Sequence, residues 1–142
     1  MSAYFCAINA PAVEAVKSEI GQGVGSGVLS FSHFLPCRQT LPDWVKPGDS
    51  QLDIRWIDHA AAPISVKFSR VAGSVLIDRQ MRELSSSASS AIPHTHAFGH
   101  SHRPKDFSMN GVRYVHNPVG KGKEREYGML DAHPEPYVVW GM

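Results

Sequence analysis

The chain has 142 residues, enough for one domain with a buried core, and its 14 basic residues nearly balance its 13 acidic ones for a formal charge of +1. Charges of both signs are dispersed, so we expect no electrostatic attraction to nucleic acid or to an anionic membrane. No apolar run approaches the roughly 20 residues of a membrane-spanning helix and no signal sequence is evident, so the sequence predicts a cytoplasmic protein. Its two cysteines, Cys6 and Cys37, are accordingly predicted to be reduced and non-catalytic.

The first predicted elements are an amphipathic surface helix and a strand, joined by a glycine-rich connector. Pro11 suits the start of the helix, because proline at the first helical position loses no needed hydrogen bond, and apolar residues at helical spacing extend it to Ile20. Gly21-Gln22-Gly23 ends it. The alternating run from Val28 to Phe34 then predicts a strand whose carboxyl end presents His33.

The region after this strand is less informative. Arg38 is a candidate substrate-binding residue, because a guanidinium can contact phosphate oxygens in a bidentate manner, although an exposed loop arginine is more often only solvated. The stretch from Leu41 to Ala62 matches neither helical nor strand periodicity. For its Trp44, Trp56 and His59 there are two alternatives, contact with a substrate or packing alone, and packing is the favoured interpretation.

A short strand, a helix and a polar connector are predicted next. Ile64 to Phe68 alternates as a strand does, and Ser74 is the predicted N-cap of a helix from Val75 to Leu84 with one apolar face. The run from Ser85 to Ser90 is too polar to build a core and is predicted to be a connector.

The strand predicted at about Ile92 to Phe98 leads into the loop Gly99-His100-Ser101-His102. Two imidazoles at i and i+2 behind a glycine suit a metal site, because glycine allows a tight turn at the strand end and both rings can converge. On these residues alone, an ordinary polar turn is an equal alternative. His94 and His96 share one face of the strand but lie too far back to join such a site, so we predict that they are structural or surface residues.

The last part of the chain is predicted to be a hairpin followed by two short strands. Asn110-Gly111 between strand-like runs is a strong hairpin signal, with Val112 to His116 as the returning strand. Lys121 to Glu126 is predicted to be a charged turn, and Tyr127 to Leu130 and Tyr137 to Trp140 are predicted to be the final strands.

Three segments follow one another in the chain: Leu29 to Pro36 with its histidine, Phe98 to His102, and Asn110 to Pro118. In order and character they resemble the C-terminal half of the calcineurin-like metallophosphoesterases, in which a strand ending in a metal-binding histidine precedes a Gly-His-x-His loop and a short hairpin. The resemblance runs from about Val28 to about Arg125. It implies an α/β fold, the C-terminal half of that family's layered α/β sandwich, with residues 1–142 forming a single partial domain.

The resemblance also implies a function, the hydrolysis of a phosphomonoester or phosphodiester at a two-metal centre. Carried over from the family, His33 and His100 would bind one ion and His102 its neighbour. The ions would be Mn, Fe or Zn, since imidazole suits all three. The implied partner is a phosphoester substrate.

The family pattern is incomplete in this chain. The family's Asp-x-His, Gly-Asp and Gly-Asn-His motifs have no counterpart before His33, because residues 1–32 contain no aspartate and no histidine. Asp106 and Asp131 follow the motif and are interpreted as solvated loop residues. We therefore expect weak metal binding and little or no hydrolysis by this chain alone. Two alternatives remain open, namely an inactive remnant or interaction module of the same fold, and an unrelated single-metal histidine protein.

Overall fold

The computed structural model describes residues 2–23, 25–41, 73–86, 92–126, 130, 133 and 135–139. Its helices are α1 (Ser2–Gly21), α2 (Val75–Ser86) and α3 (Gly122–Glu126), with a short 3-10 helix at Arg38–Thr40. Its strands are β1 (Val28–Ser32), β2 (His94–Phe98), β3 (Lys105–Met109) and β4 (Val112–His116). The combination of helices and one mixed sheet agrees with the predicted α/β class.

The sheet has the strand order β1-β2-β4-β3. Strands β1, β2 and β4 run parallel, and β3 pairs with β4 in the antiparallel direction. The carboxyl ends of the three parallel strands therefore lie at one edge of the sheet. In open α/β sheets this edge is where ligands bind.

The hairpin between β3 and β4 is confirmed. Asn110 and Gly111 have φ values of 52° and 78°, and two consecutive residues with positive φ are characteristic of the type I′ turn that Asn-Gly favours. The turn fixes the register in which Phe107 lies opposite Tyr114, and the two rings stack with centroids 5.2 Å apart. Local turn chemistry thus contributes directly to the core.

The core lies on the side of the sheet that faces α2. It includes Leu35, Cys37, Phe98, Phe107, Val112 and Tyr114. Burial raises the pKa of the Cys37 thiol, which is the opposite of what a nucleophilic cysteine needs. Where α2 meets this core its most buried residue is Asp78, which accepts a hydrogen bond of 2.7 Å from the Tyr114 hydroxyl and pairs with Arg82 at 2.6 Å.

The predicted start of α1 was wrong, because the helix begins at Ser2 and contains Pro11. An internal proline removes one helical hydrogen bond, here to the carbonyl of Ala7, and crowds that carbonyl. Tertiary contact compensates for this loss. Helix α1 packs against α2, and Gln80 Nε2 donates a hydrogen bond of 2.8 Å to the carbonyl of Cys6. The predicted end at Gly21 is confirmed.

The predicted N-cap of α2 is confirmed, since Ser74 Oγ accepts a hydrogen bond of 3.2 Å from the amide of Leu76. The helix is longer than predicted and includes Ser85, which was assigned to the connector. Its most buried position is a carboxylate, not part of the predicted apolar face.

Two further predictions for the C-terminal part were wrong. The expected charged turn at residues 121–126 contains helix α3, and residues 137–139 form no strand. No helix among the described residues is long and apolar enough to cross a membrane. Several predictions concern residues outside the described ranges: the stretch 42–62 with Trp44, Trp56 and His59, the strand at 64–68, Asp131, and most of the strand at 127–130.

Candidate metal centre

His33 and His100 come together at the carboxyl ends of two neighbouring parallel strands. His33 is the first residue after β1, and Gly99 separates β2 from His100. His33 Nε2 and His100 Nδ1 lie 3.2 Å apart, and their rings meet edge to face with centroids 5.1 Å apart. A Cβ atom on Gly99 would lie 3.1 Å from the carbonyl oxygen of His33, so the approach of the two loops depends on a glycine there.

The 3.2 Å contact is a hydrogen bond between the two rings, and its length also fits two nitrogen ligands of one metal ion. Two imidazole nitrogens bound to one tetrahedral zinc at about 2.0 to 2.1 Å lie about 3.3 Å apart. A metal ligand must also be unprotonated, and desolvation, followed by the charges of His33 and His102, lowers the pKa of His100. The geometry and the electrostatics of the pair therefore both suit a divalent cation. The role of the two residues as ligands stays a prediction.

His102 turns toward a carboxylate that the sequence analysis did not anticipate. Its Nδ1 lies 2.9 Å and 3.2 Å from the two carboxyl oxygens of Glu124 on α3. Burial opposes ionisation of Glu124, but hydrogen bonds from the Lys121 amide and from His102 lower its pKa overall. Glu124 was missed because a contact across 22 residues leaves no local signal, and its segment was assigned to a solvated turn.

The three predicted ligands do not form one compact group. His102 is near enough that its charge lowers the pKa of His100. However, within residues 2–23, 25–41, 73–86, 92–126 and the few described beyond them, no group of three or more His, Cys, Asp or Glu side chains is placed to hold a metal ion. The structure thus brings together His33 and His100. The predicted binding of a neighbouring ion by His102 stays a prediction.

The backbone of the histidine loop is strained at both histidines. His100 and His102 have φ values of 74° and 55°, in the left-handed region that residues with a Cβ seldom adopt. Each such residue costs of order 1 to 3 kcal/mol and persists only where its surroundings hold it. At these two positions the His100 ring contacts the ring of His33, and the His102 ring contacts the Glu124 carboxylate. Strain of this kind concentrates at binding sites.

His116, the last residue of β4, brings a fourth imidazole to the same edge of the sheet. Its Nε2 is buried and has no hydrogen-bond partner in the part of the chain that the structure describes. Burial, followed by the charge of His102, lowers the pKa of His116 to about 4. Sequence reasoning did not single this residue out, since a histidine at the end of a hairpin strand carries no signal of its own.

Two further charged residues considered in the sequence analysis, Arg38 and Asp106, lie in a 3-10 helix and in a strand. Arg38 begins the 3-10 helix that follows β1, with an exposed side chain, and its role as a phosphate clamp stays a prediction. Asp106 lies in β3 and not in a loop, where it binds the Arg113 guanidinium at 2.6 Å and 2.9 Å. Its carboxylate is therefore engaged in an ion pair.

The chain was also compared with known proteins. No protein-family model matches it, and neither the curated proteins nor the solved structures give a match. The resemblance to calcineurin-like metallophosphoesterases therefore rests on the motifs themselves and stays a prediction.

Proposed function

We propose that this chain binds a divalent metal ion through His33 and His100 and corresponds to the C-terminal portion of a metal-dependent phosphoesterase of the calcineurin-like type. The observation that carries the proposal is the 3.2 Å approach of two ring nitrogens at the ligand-binding edge of the sheet. The order of the three motifs along the chain supports the phosphoesterase class. On this proposal, the sheet is the C-terminal half of the family's layered sandwich.

The chemistry divides between the residues at this edge. When bound, a divalent ion would stabilise charge on phosphate oxygens and lower the pKa of a bound water. His33 and His100 would hold it with neutral nitrogens. Glu124 orients His102 by accepting a hydrogen bond at Nδ1, which leaves Nε2 as the ligand atom, and this carboxylate–histidine pairing is usual for metal-binding histidines. Arg38 would bind substrate oxygens.

The small number of metal-binding side chains limits the proposed activity. Two converging nitrogens make a weak site, and the family's bridging carboxylate has no counterpart before His33 in the sequence. We expect Mn, Fe or Zn to bind weakly, because imidazole ligands do not select among them. We also expect slow or no turnover by this chain alone.

Calorimetric titration of the purified chain with Zn²⁺ and with Mn²⁺ tests the site. His33→Ala and His100→Ala should each weaken binding tenfold or more. His133→Ala is the matched control, because His133 is an exposed histidine, and it should bind like the wild type. Wild-type affinity in the His33 and His100 variants would contradict the proposal.

Hydrolysis of an aryl phosphate monoester and an aryl phosphate diester, with added Mn²⁺, tests the reaction class. We expect little or no turnover by the chain, and restored turnover in a longer polypeptide that supplies Asp-x-His and Gly-Asn-His motifs. Robust turnover that is lost in His100→Ala would support the reaction class, but it would contradict the expectation that the metal centre of this chain is incomplete. Metal binding without turnover in the longer polypeptide would contradict the phosphoesterase assignment.

A second candidate function, a non-catalytic interaction module, is favoured by the outer face of β1. In the part of the sheet that the structure describes, β1 is an edge strand, its Leu29 and Phe31 point outward, and Phe31 is 75% exposed. Exposed apolar side chains on an edge strand are typical of association surfaces. Absence of metal binding, together with self-association that Phe31→Ser abolishes in light scattering, would favour this candidate over the first.

A further inference from the structure

Five polar side chains form a continuous hydrogen-bonded chain on the core-facing side of β1 and β2. Ser85 Oγ lies 3.0 Å from His94 Nδ1, and His94 Nε2 lies 2.7 Å from Ser30 Oγ. Ser30 Oγ lies 2.8 Å from His96 Nδ1, and His96 Nε2 lies 3.0 Å from Ser32 Oγ. Both imidazoles are thus engaged at both ring nitrogens. We refer to these five residues as the serine–histidine chain.

Each end of the serine–histidine chain reaches a backbone carbonyl. Ser32 Oγ lies 2.6 Å from the carbonyl oxygen of Phe34, a short hydrogen bond. Ser85 Oγ lies 3.4 Å from the carbonyl oxygen of Arg82, at the limit of hydrogen bonding. Since carbonyl oxygens only accept, each terminal serine could donate its hydrogen at its own end.

The number of hydrogen atoms decides the direction of the chain. Five neutral side chains supply one hydrogen each, but there are six contacts, four within the chain and one to each carbonyl. One contact must therefore lack a hydrogen atom. The longest contact, from Ser85 to Arg82, is the one that does, because the other five measure 3.0 Å or less.

All donor and acceptor roles follow from this assignment. Ser32 donates to the carbonyl of Phe34 and so accepts from His96 Nε2–H. His96 Nδ1 then accepts from Ser30, which in turn accepts from His94 Nε2–H. His94 Nδ1 is left to accept from Ser85. Every donor points along the chain toward the turn after β1.

We propose that the serine–histidine chain is a directional support that holds His94 and His96 as neutral Nε2–H tautomers and positions the turn that carries His33. The link to that turn is the carbonyl of Phe34. The Phe34 ring lies against both His33 and His100, with centroids 5.2 Å and 5.3 Å away. Ser30, Ser32 and the two inner histidines are positioning residues, whereas Ser85 lies at the end of the chain far from Phe34. The tautomer assignment follows from the hydrogen bonds alone and does not depend on the proposed metal site.

Burial supports the neutral state of both imidazoles. His96 is fully buried, and His94 is only 3% exposed. Desolvation lowers the pKa of both rings, and for His96 the charge of His94 adds to the effect. A neutral imidazole has one donor and one acceptor nitrogen, which is what a one-directional chain requires.

The test is nitrogen NMR of the imidazoles in the full chain at pH 7.5, where the shifts of Nδ1 and Nε2 identify the tautomer. In the wild type both inner histidines should be Nε2–H. Ser32→Ala removes the contact with His96 and the hydrogen bond to the Phe34 carbonyl. The four remaining contacts can each contain a hydrogen atom only if every donor points the other way, toward the carbonyl of Arg82. Both histidines should therefore become Nδ1–H in this variant. Ser85→Ala is the matched control, since it removes the other end and should leave both as Nε2–H.

The effect of the serine–histidine chain on the position of His33 is tested separately, by metal binding. Ser32→Ala should weaken Zn²⁺ binding several-fold, whereas Ser85→Ala should not change it. This arm rests on the proposed metal site, while the tautomer arm does not, so the two can fail separately. Nδ1–H tautomers in the wild type, or tautomers that do not change in a folded Ser32→Ala, would overturn the directional chain. If Ser32→Ala does not fold, the wild type and Ser85→Ala decide the question, and Nε2–H in both is required.

Discussion

The sheet carries two pairs of histidines with opposite environments. The inner pair, His94 and His96, lies within β2, is buried, and has a serine hydroxyl at every ring nitrogen. The outer pair, His33 and His100, follows the ends of β1 and β2, and its two rings contact each other. His100 follows His96 by only four positions, so position relative to the strand end decides which environment a histidine enters.

The two pairs differ in the groups that their ring nitrogens contact. A buried imidazole nitrogen without a partner costs about 1 to 3 kcal/mol, a cost that His116 Nε2 carries and that both inner histidines avoid. The inner pair therefore uses its hydrogen-bonding capacity for structure. The outer pair meets at the edge where the three parallel strands end, and there the fold brings two imidazole nitrogens together without a hydroxyl between them. Four measurements test the distinction between the inner and the outer pair.

The largest expected effect is on stability when an inner histidine is removed. His96→Ala should lower the free energy of unfolding by about 3 kcal/mol, because it leaves a cavity and unpaired Ser30 and Ser32 hydroxyls. His33→Ala should change it by less than about 0.5 kcal/mol, as is usual for an exposed position. Urea denaturation measures both. Equal losses in the two variants would remove the distinction between the pairs.

The next effect is the pH dependence of stability. The pKa of His96 is lowered from 6.5 to about 4 in the folded chain, so below pH 6.5 the unfolded chain binds a proton that the folded chain does not. His94 and His116 shift in the same direction. Stability should therefore fall as the pH is lowered from about 6.5 toward about 4, by up to about 1.4 kcal/mol per pH unit for each group.

Urea denaturation at pH 7.5, 6.0 and 5.0 checks this slope. Gly122→Ala, which adds a methyl group in open space and removes no titrating side chain, is the control and should keep the wild-type dependence. His96→Gln, which cannot titrate, should reduce the dependence. A stability that does not change over this pH range would mean that the inner imidazoles titrate normally.

A smaller effect is expected at the glycine between the strand and the outer pair. Gly99→Ala would place a Cβ atom 3.1 Å from the His33 carbonyl oxygen, so the two loops must move apart by a few tenths of an ångström. We expect a loss of about 1 kcal/mol in stability and weaker Zn²⁺ binding. Gly122→Ala is the matched control, because a Cβ atom there meets nothing within 4 Å. Equal Zn²⁺ affinity in the two variants would show that close approach of the loops is not required.

The smallest effect is expected from Glu124→Gln. The His102–Glu124 pair is partly exposed, and such pairs contribute less than about 1 kcal/mol to stability. The change should be similar in size to that of Asp106→Asn, which breaks the exposed pair with Arg113. Thermal unfolding in low and high salt measures both. A loss several times larger in Glu124→Gln would mean that the carboxylate holds the left-handed backbone of the histidine loop.

Local features were predictable because their causes lie within a few residues. Asn110-Gly111 supplies two positions that tolerate positive φ, and the Ser74 hydroxyl satisfies a free amide at the start of a helix. The first strand was likewise predicted from alternation, over Val28 to Phe34, but it ends at Ser32, just before His33. The start of α1 was not, because a proline usually marks the beginning of a helix and its cost is offset here by packing on α2.

The sequence by itself therefore determined the α/β class, the hairpin and the order of the histidine motifs along the chain. Only the tertiary structure decided which side chains meet. The partnership of His102 with Glu124 and the alignment of Ser30 and Ser32 with the inner histidines depend on contacts across 22 to 66 residues. Strand register and helix docking set such contacts, and neither leaves a periodic pattern in the sequence. The same physics left His94 and His96 ambiguous in the sequence, because a polar residue on a strand is structural or exposed according to what packs against it.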